Sequence, residues 1–144
     1  MPREARAKPL IEAAAIKLFA RDGVEATTTS AVAAEAGVSE AAIYRHFESK
    51  EALLHTVFAE HYHAFGRLLA EAARPRAGLR GKLAAMIEEV CQAFDADPDR
   101  TRFLLLAQHR SLPRLETDAD SPVEVVCALV AEAVAAGEIA EQDP

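Results

Sequence analysis

The stretch TTTSAVAAEAGVSEAAIYRHFESK, residues 27–50, decides the fold of this 144-residue chain. Thr27 and Thr28 are predicted to cap the N-terminus of a short, alanine-rich helix. Gly37 follows that helix, where glycine adopts a left-handed conformation without steric cost. Ser39 then supplies a second cap hydroxyl for the helix that starts EAAIYRHF. Two short helices joined by a glycine-containing turn predict a helix-turn-helix.

The second of these helices has one apolar face and one polar face. Ile43 and Phe47 are four residues apart and share a face, whereas Tyr44, Arg45 and His46 spread over the rest. Small alanines at the start of the helix leave room for it to enter the major groove of DNA. We therefore expect this helix to contact DNA, with Arg45 as the best candidate for reading a base edge, most naturally guanine.

Phosphate contacts are expected around the same two helices. A third helix starts near Ser49, and the Lys50 ammonium there is placed to hold a phosphate. Lys17 and the basic N-terminal arm over residues 1–8 are further candidates. The predicted DNA-binding residues are Thr28, Ser39, Tyr44, Arg45, His46 and Lys50.

Residues 11–54 resemble the DNA-binding domain of tetracycline-repressor-type regulators, the TetR family. The shared pattern has Ala-Ala and Leu-Phe in a first helix, then Gly, Thr-Thr, Ala-Gly-Val-Ser, aromatic-x-His-Phe and Ser-Lys-Glu-x-Leu. The matching residues are Ala14, Ala15, Leu18, Phe19, Gly23, Thr27, Thr28, Ala36, Gly37, Val38, Ser39, Tyr44, His46, Phe47, Ser49, Lys50, Glu51 and Leu53. Two positions depart from it: Glu40 stands where a neutral or basic residue is common, and Val32 replaces a frequent isoleucine.

The resemblance implies a three-helix DNA-binding domain over residues 1–50 and a helical ligand-binding and dimerisation domain over residues 51–144. It implies a repressor that binds a palindromic DNA operator as a homodimer and is released by a small, largely apolar effector. Members of the family generally continue into two more helices that form the dimer interface. Since this sequence ends at Pro144, either the chain is shortened or it dimerises another way.

Composition supports an all-α fold with its acidity concentrated away from the DNA-binding segment. Hydrophobic residues make up 51% of the chain, aromatic residues are few, and there is no tryptophan. Residues 1–50 hold seven basic and seven acidic residues, whereas residues 51–144 hold nine and sixteen, which accounts for the net charge of −7. This asymmetry favours DNA approach at one end of the molecule.

Helical periodicity continues through the rest of the sequence. It predicts a first helix over residues 9–22, a long helix over 49–74, and further helices over 79–94, 99–112 and 122–137. The segment FLLLA, residues 103–107, is apolar around most of its circumference, which is typical of a central helix in a bundle.

These helices are expected to enclose a mostly hydrophobic ligand pocket, the alternative being a solid core. The candidate lining residues are Phe58, His61, Tyr62, Phe65, Met86, Val90, Phe94, Phe103, Leu106, His109, Val126 and Val130. His61, His109 or Arg110 would orient a polar group of the ligand, although basic residues at a helix end also suit its dipole.

Neither a metal site nor a cofactor is expected. His61 and His63 point to different sides of a helix, and the i, i+4 pair of a helical metal site is missing. Cys91 and Cys127 lie in apolar helical runs, so buried free thiols are expected rather than a disulfide.

The sequence can be compared with three classes of function: an enzyme, a DNA-binding regulator and a helical adaptor. An enzyme is not expected, because the sequence has no Ser/His/Asp set, glycine-rich phosphate loop or carboxylate pair at a convincing spacing. A DNA-binding regulator is favoured over its alternative, a helical adaptor that resembles a regulator without reading DNA. No apolar run approaches the ~20 residues that a bilayer requires, so no membrane association and a cytoplasmic location are expected.

Overall fold

The structure is a computed structural model that describes residues 6–111 and 119–140. Over these residues the regular secondary structure consists of seven α-helices, as the sequence predicts. They are α1 (Ala7–Asp22), α2 (Thr29–Ala36), α3 (Glu40–His46), α4 (Lys50–Ala73), α5 (Gly78–Ala96), α6 (Pro98–Ser111) and α7 (Pro122–Ala135). None of the helices in the described part of the chain combines the length and the apolar character needed to cross a bilayer. Arg3 of the predicted arm, and the Arg110 side chain, lie outside the described residues.

The chain divides into two compact units. The described residues of the first unit are 6–60 and 97–111, and those of the second are 61–96 and 119–140. This division is not the one at residue 50, because α6 packs on α1 and so joins the unit that contains the helix-turn-helix. The assignment of a DNA-binding domain to residues 1–50 and a regulatory domain to 51–144 stays a prediction about function.

Aromatic rings hold the first unit together. The rings of Phe19 in α1 and Phe103 in α6 are stacked, with centroids 5.9 Å apart. Phe58 in α4 meets Phe103 edge to face at 6.2 Å. All three side chains are fully buried. Since aromatic pairs contribute about 0.5–1.5 kcal/mol beyond their buried area, this cluster fixes α1, α4 and α6 around one point.

The prediction that α6 is a central helix, covered on all sides, is wrong: one of its faces is exposed. Phe103, Leu104 and Ala107 are buried, but Leu105 is 51% and Leu106 is 61% exposed. Successive helical residues are turned by about 100°, so a run of apolar residues cannot share one face. The face that carries Phe103 is covered in this unit, whereas the face with Leu105 and Leu106 is not.

A smaller core holds the second unit together. Leu69 and Ala73 of α4, Met86 of α5 and Val125 of α7 are buried together. The partly buried residues packed against them are Phe65, Ala70, Leu83, Val90 and Leu129. The polar rim is tied by Lys82, whose Nζ donates to both carboxylate oxygens of Glu132 at 2.7 and 2.8 Å.

Gly66 allows α4 to touch the segment that leads into α7. A Cβ at this position would lie 1.8 Å from the carbonyl oxygen of Asp120 and 2.8 Å from the nitrogen of Pro122. The neighbouring Arg67 donates through Nη1 to Oδ2 of Asp120 at 3.2 Å. Glycine is therefore required here for backbone proximity, and an ordinary helical residue would push the two segments apart.

The two cysteines are free, as predicted, but both are exposed rather than buried. In α5 the buried Met86 and partly buried Val90 are each followed by an outward residue, Ile87 and Cys91. The apolar residues of α5 therefore extend around more of the helix than the face that packs against the core. The same holds for Cys127, which lies beside exposed valines in α7.

Candidate nucleic-acid interface

The first helix of the predicted helix-turn-helix is capped by Thr28. Its Oγ1 accepts a hydrogen bond from the Ala31 backbone nitrogen at 3.1 Å, in the extended conformation usual for an N-cap. Thr27, expected to share this role, is instead buried and donates through Oγ1 to the Gly23 carbonyl at 2.8 Å. The two hydroxyls therefore have different tasks: one starts α2, and the other closes the loop after α1.

The turn has the predicted geometry. Gly37 is left-handed, with φ 67° and ψ 31°, and its nitrogen donates to the Ala34 carbonyl at 3.2 Å. Val38 donates to the Ala33 carbonyl at 3.0 Å, which completes the helix end. Ser39 then caps α3, because its Oγ accepts from the Ala42 nitrogen at 3.2 Å.

Helix α3 divides into the two faces expected from its sequence. Ile43 is fully buried, and Phe47, which ends the helix, is buried as well. Tyr44 is 54% exposed, and Arg45 and His46 are exposed beside it. The buried residues anchor a helix of seven residues so that its polar side chains face outward.

A hydrogen-bond chain that sequence reasoning missed links α2 to α3. The Oγ1 of Thr29 donates to Oε1 of Glu40 at 2.7 Å and lies 3.2 Å from the Tyr44 hydroxyl. Glu40 and Tyr44 are four residues apart on α3, which is a spacing that places side chains side by side. The spacing of Glu40 and Tyr44 could have indicated that these two side chains lie together. The contact of Thr29 with both could not be predicted, because it depends on the angle between α2 and α3.

Two surface ion pairs lie near these helices. Lys17 of α1 donates to Oε1 of Glu35 in α2, and this hydrogen bond, with the lysine charge, lowers the pKa of Glu35. Arg21 binds both oxygens of Asp22 at 2.8 Å, and the bond lowers the pKa of that carboxyl group. Lys17, one of the phosphate candidates, thus joins the first two helices in the structure.

Lys50 has a structural partner that the sequence did not reveal. Its Nζ donates to the carbonyl of Val24, in the loop between α1 and α2, at 2.9 Å. Ser49 caps α4, since its Oγ accepts from the Ala52 nitrogen at 3.0 Å. A shallow recess surrounds this corner, lined by Val24, Glu25, Lys50, Glu51, Leu54, His55 and Ser111. Lys50 thereby holds the start of α4 against the loop that precedes the helix-turn-helix.

The predicted pocket residues fall into both units. The first unit contains Phe58, Phe103, Leu106 and His109, and the second contains His61, Tyr62, Phe65, Met86, Val90, Phe94, Val126 and Val130. Phe58 and Phe103 pack ring against ring, and Met86 lies in the second core. Phe94, Leu106, Val126 and Val130 are exposed. Leu106 lines an open recess of the first unit beside Phe103 and the loop after α1.

Tyr62 is the buried polar side chain among these candidates. Burial raises the pKa of its phenol, while a hydrogen bond with the Val123 backbone acts in the opposite direction. That bond connects α4 to the first turn of α7, close to the contact that Gly66 permits. The hydroxyl thus helps to place α7 in the second unit.

Comparison with known proteins locates the similarity mainly in the N-terminal domain. Residues 11–57 match the model of bacterial regulatory proteins, tetR family. The HTH-type transcriptional regulator YerO of Bacillus subtilis is 56% identical over 39 residues, which cover 27% of this chain and 14% of that protein. YuxN of the same organism is 34% identical over 90 residues, or 60% of this chain and 31% of that protein. The nucleoid occlusion factor SlmA of Escherichia coli is 47% identical over 45 residues, or 31% and 23%. The chain thus spans less than a third of the curated relatives it matches.

Solved structures extend the likeness to nearly all of the chain. A gamma-butyrolactone receptor (ArpA-like protein) is 26% identical with a TM-score of 0.75, covering 98% of this chain and 71% of that one. A tetR-family regulatory protein from Rhodococcus RHA1 is 26% identical with a TM-score of 0.72, covering 95% and 74%. A TetR family regulator from Marinobacter aquaeolei VT8, 19% identical with a TM-score of 0.77 and covering 94% and 72%, shares the fold. Residues 11–57 thus match the domain of the tetR family of bacterial regulatory proteins, and the fold of the described residues is similar to that of solved TetR-family structures.

Proposed function

We propose that this chain is a DNA-binding transcriptional regulator, a repressor that a small, largely apolar effector releases from a palindromic operator. The observation that carries the proposal is the pair of capped helices α2 and α3, which turns Tyr44, Arg45 and His46 outward on an anchored recognition helix. A helix held in this way enters the major groove with its side chains toward the base edges.

In this proposal Arg45 reads a base and its neighbours stabilise the complex. A guanidinium donates two parallel hydrogen bonds to O6 and N7 of guanine, which no other base accepts in the same geometry. Tyr44 and His46 flank Arg45 on the exposed face and contact the DNA beside it. The buried Ile43 keeps this face in place by anchoring α3.

Three residues at the helix ends supply phosphate contacts. The Thr28 and Ser39 oxygens accept their cap hydrogen bonds, so each hydroxyl proton remains available to donate to a phosphate oxygen. The Lys50 ammonium has three donors, of which Val24 takes one. Such contacts fix register without carrying sequence information.

The decisive experiment measures DNA binding directly. Fragments that the protein retains from genomic DNA are sequenced, and affinity for the enriched motif is measured at several salt concentrations. We expect Arg45→Ala to weaken specific binding by about 1–3 kcal/mol and to relax preference at one base position. Arg74→Ala, which removes the same charge from an exposed site in the second unit, is the matched control. Failure of the wild-type protein to enrich any motif would favour the adaptor alternative.

Dimerisation follows from the small size of the recognition helix. Seven residues contact only a few base pairs, so useful specificity needs two half-sites, with recognition helices about 34–36 Å apart in the simplest spacing. Sedimentation of the protein with and without operator DNA tests this. A monomer at micromolar concentration that also binds DNA without cooperativity would contradict it.

The effector is proposed to be small and largely apolar with a polar head group. The similarity to a gamma-butyrolactone receptor, and the apolar character of the predicted pocket residues, support this class. An effector acts only through its different affinities for the two states, so a ~100-fold loss of DNA affinity requires about 2.7 kcal/mol of coupling. A panel of γ-butyrolactones of increasing alkyl length, scored by release of labelled operator, tests the class. Val90→Trp would fill the predicted pocket and should abolish release while operator binding persists.

A further inference from the structure

Glu40 has a fixed position on the proposed DNA-binding face. It is the first residue of α3 and is exposed, and its Oε1 accepts the Thr29 hydroxyl at 2.7 Å. The Tyr44 hydroxyl lies 3.2 Å from the same Thr29 oxygen. Thr29 belongs to α2, so the contact fixes this carboxylate against a second helix rather than leaving it to rotate in solvent.

The direction of these hydrogen bonds follows from the chemistry of the groups. A carboxylate is an acceptor only, so the single Thr29 hydroxyl proton goes to Glu40. Tyr44 must then donate to Thr29. The order is Tyr44 to Thr29 to Glu40, and it uses one of the roughly four acceptor positions of the carboxylate. The remaining acceptor positions can receive a donor from a ligand on the exposed side.

We propose that Glu40 is a specificity-determining residue that selects cytosine at one position of each operator half-site, an inference that rests on the proposed DNA-binding function. In the major groove cytosine presents a donor, its N4 amino group, whereas guanine presents the acceptors N7 and O6. Adenine sets an acceptor beside its donor, and thymine presents an acceptor and a methyl group. An acceptor-only side chain at the start of a recognition helix therefore matches cytosine and is repelled most by guanine.

The negative charge of Glu40 is inconsistent with a role in phosphate binding. A carboxylate near the DNA backbone is repelled by phosphates, and this repulsion weakens binding equally whatever the base sequence. What it adds is discrimination, because a base with acceptors on its edge meets a like partial charge. An acidic residue in the first turn of a helix also stabilises that helix through its dipole. If Glu40 acted only by stabilising the helix, its substitution would leave base preference unchanged. Base preference therefore distinguishes helix stabilisation from base selection.

The experiment selects bound duplexes from a random library with wild-type protein and two variants. Wild type should enrich cytosine at one position per half-site. Glu40→Gln should shift that position toward adenine, since an amide pairs with N6 and N7 of adenine, and should reduce the cytosine preference about tenfold or more. Glu40→Ala should leave the position without preference. Glu88→Gln, which changes the net charge equally on the exposed face of α5, should select the wild-type motif.

A matched pair at Thr29 tests the positioning chain. Thr29→Val removes the hydroxyl and should weaken the cytosine preference several-fold, while Thr29→Ser retains the hydroxyl and should keep it. Melting temperatures of all variants establish that they fold. If wild type enriches a motif and Glu40→Gln enriches the identical one, the inference is overturned and the proposed function stands. If wild type enriches no motif, both are overturned together.

Discussion

The two units differ in how their cores are built. In the first unit the phenylalanines at 19, 58 and 103 are fully buried, and side-chain caps define the helix ends on its surface. In the second unit the core is small, and α5 and α7 leave apolar side chains exposed, with Ile87 at 64% and Phe94 at 41%. Apolar residues therefore build a closed core only where they fall on helix faces that another helix covers. Exposed apolar residues in one area are typical of an interaction surface.

The largest expected effect tests whether a buried aromatic ring in the first unit contributes more stability than an exposed one in the second. Phe103→Ala should destabilise the protein by about 3–5 kcal/mol, because it removes the ring that contacts both Phe19 and Phe58 and leaves a cavity. Phe94→Ala, the matched change on the exposed face of α5, should cost well under half as much. Urea unfolding of both variants measures the difference, and equal losses would contradict the contrast.

A substitution at Gly66 tests whether the close approach of α4 to Asp120 stabilises the second unit. Gly66→Ala should lower stability by about 1–3 kcal/mol, because the new Cβ has no room beside Asp120. Gly81→Ala is the control, since a Cβ there would lie 3.8 Å from Arg76 in ordinary contact. In α5 that substitution should stabilise by about 0.5–1 kcal/mol. Thermal unfolding of the two variants gives the sign, and a stabilised Gly66→Ala would show that the contact is not required.

A substitution at Lys50 tests whether this side chain both supports the fold of the first unit and binds a DNA phosphate. Lys50→Ala removes the hydrogen bond to Val24 and should cost about 0.5–1.5 kcal/mol of stability. If the ammonium also contacts a phosphate, binding to all DNA sequences should weaken alike and the salt slope should fall by about one. Affinity measured from low to high salt checks this. A changed base preference with an unchanged slope would contradict the phosphate role.

The smallest expected effect concerns Tyr62 and alkaline pH. Burial raises the folded-state pKa of this phenol above its ordinary value of 10.0, so the folded state holds the proton more tightly than the unfolded state. The resulting stability is present below the unfolded pKa and is lost as pH rises through the folded pKa. Tyr62→Phe should be less stable near neutral pH, through loss of the Val123 bond, and the gap should close above about pH 10.

Unfolding of wild type and Tyr62→Phe at a series of pH values from 7 to 11 measures this gap. A gap between wild type and Tyr62→Phe that stayed constant to high pH would contradict the assigned effect of burial.

Residue type and spacing were enough to predict the features that depend on residues within about four positions of each other. The Thr28 and Ser39 caps, the left-handed Gly37 and the division of α3 into buried and exposed faces are of this kind. Each is set by backbone geometry and a single local hydrogen bond, so residue type and spacing suffice to predict it.

Contacts between residues distant in sequence could not be predicted, because they depend on how the helices pack. Lys50 bonds to Val24, Glu40 to Thr29, and Gly66 meets Asp120 because separate helices cross at particular angles. The exposure of Leu106 and of both cysteines has the same origin, since periodicity predicts an apolar face but not whether another helix covers it. Packing between elements is chosen by the fit of whole surfaces, and no local pattern encodes that fit.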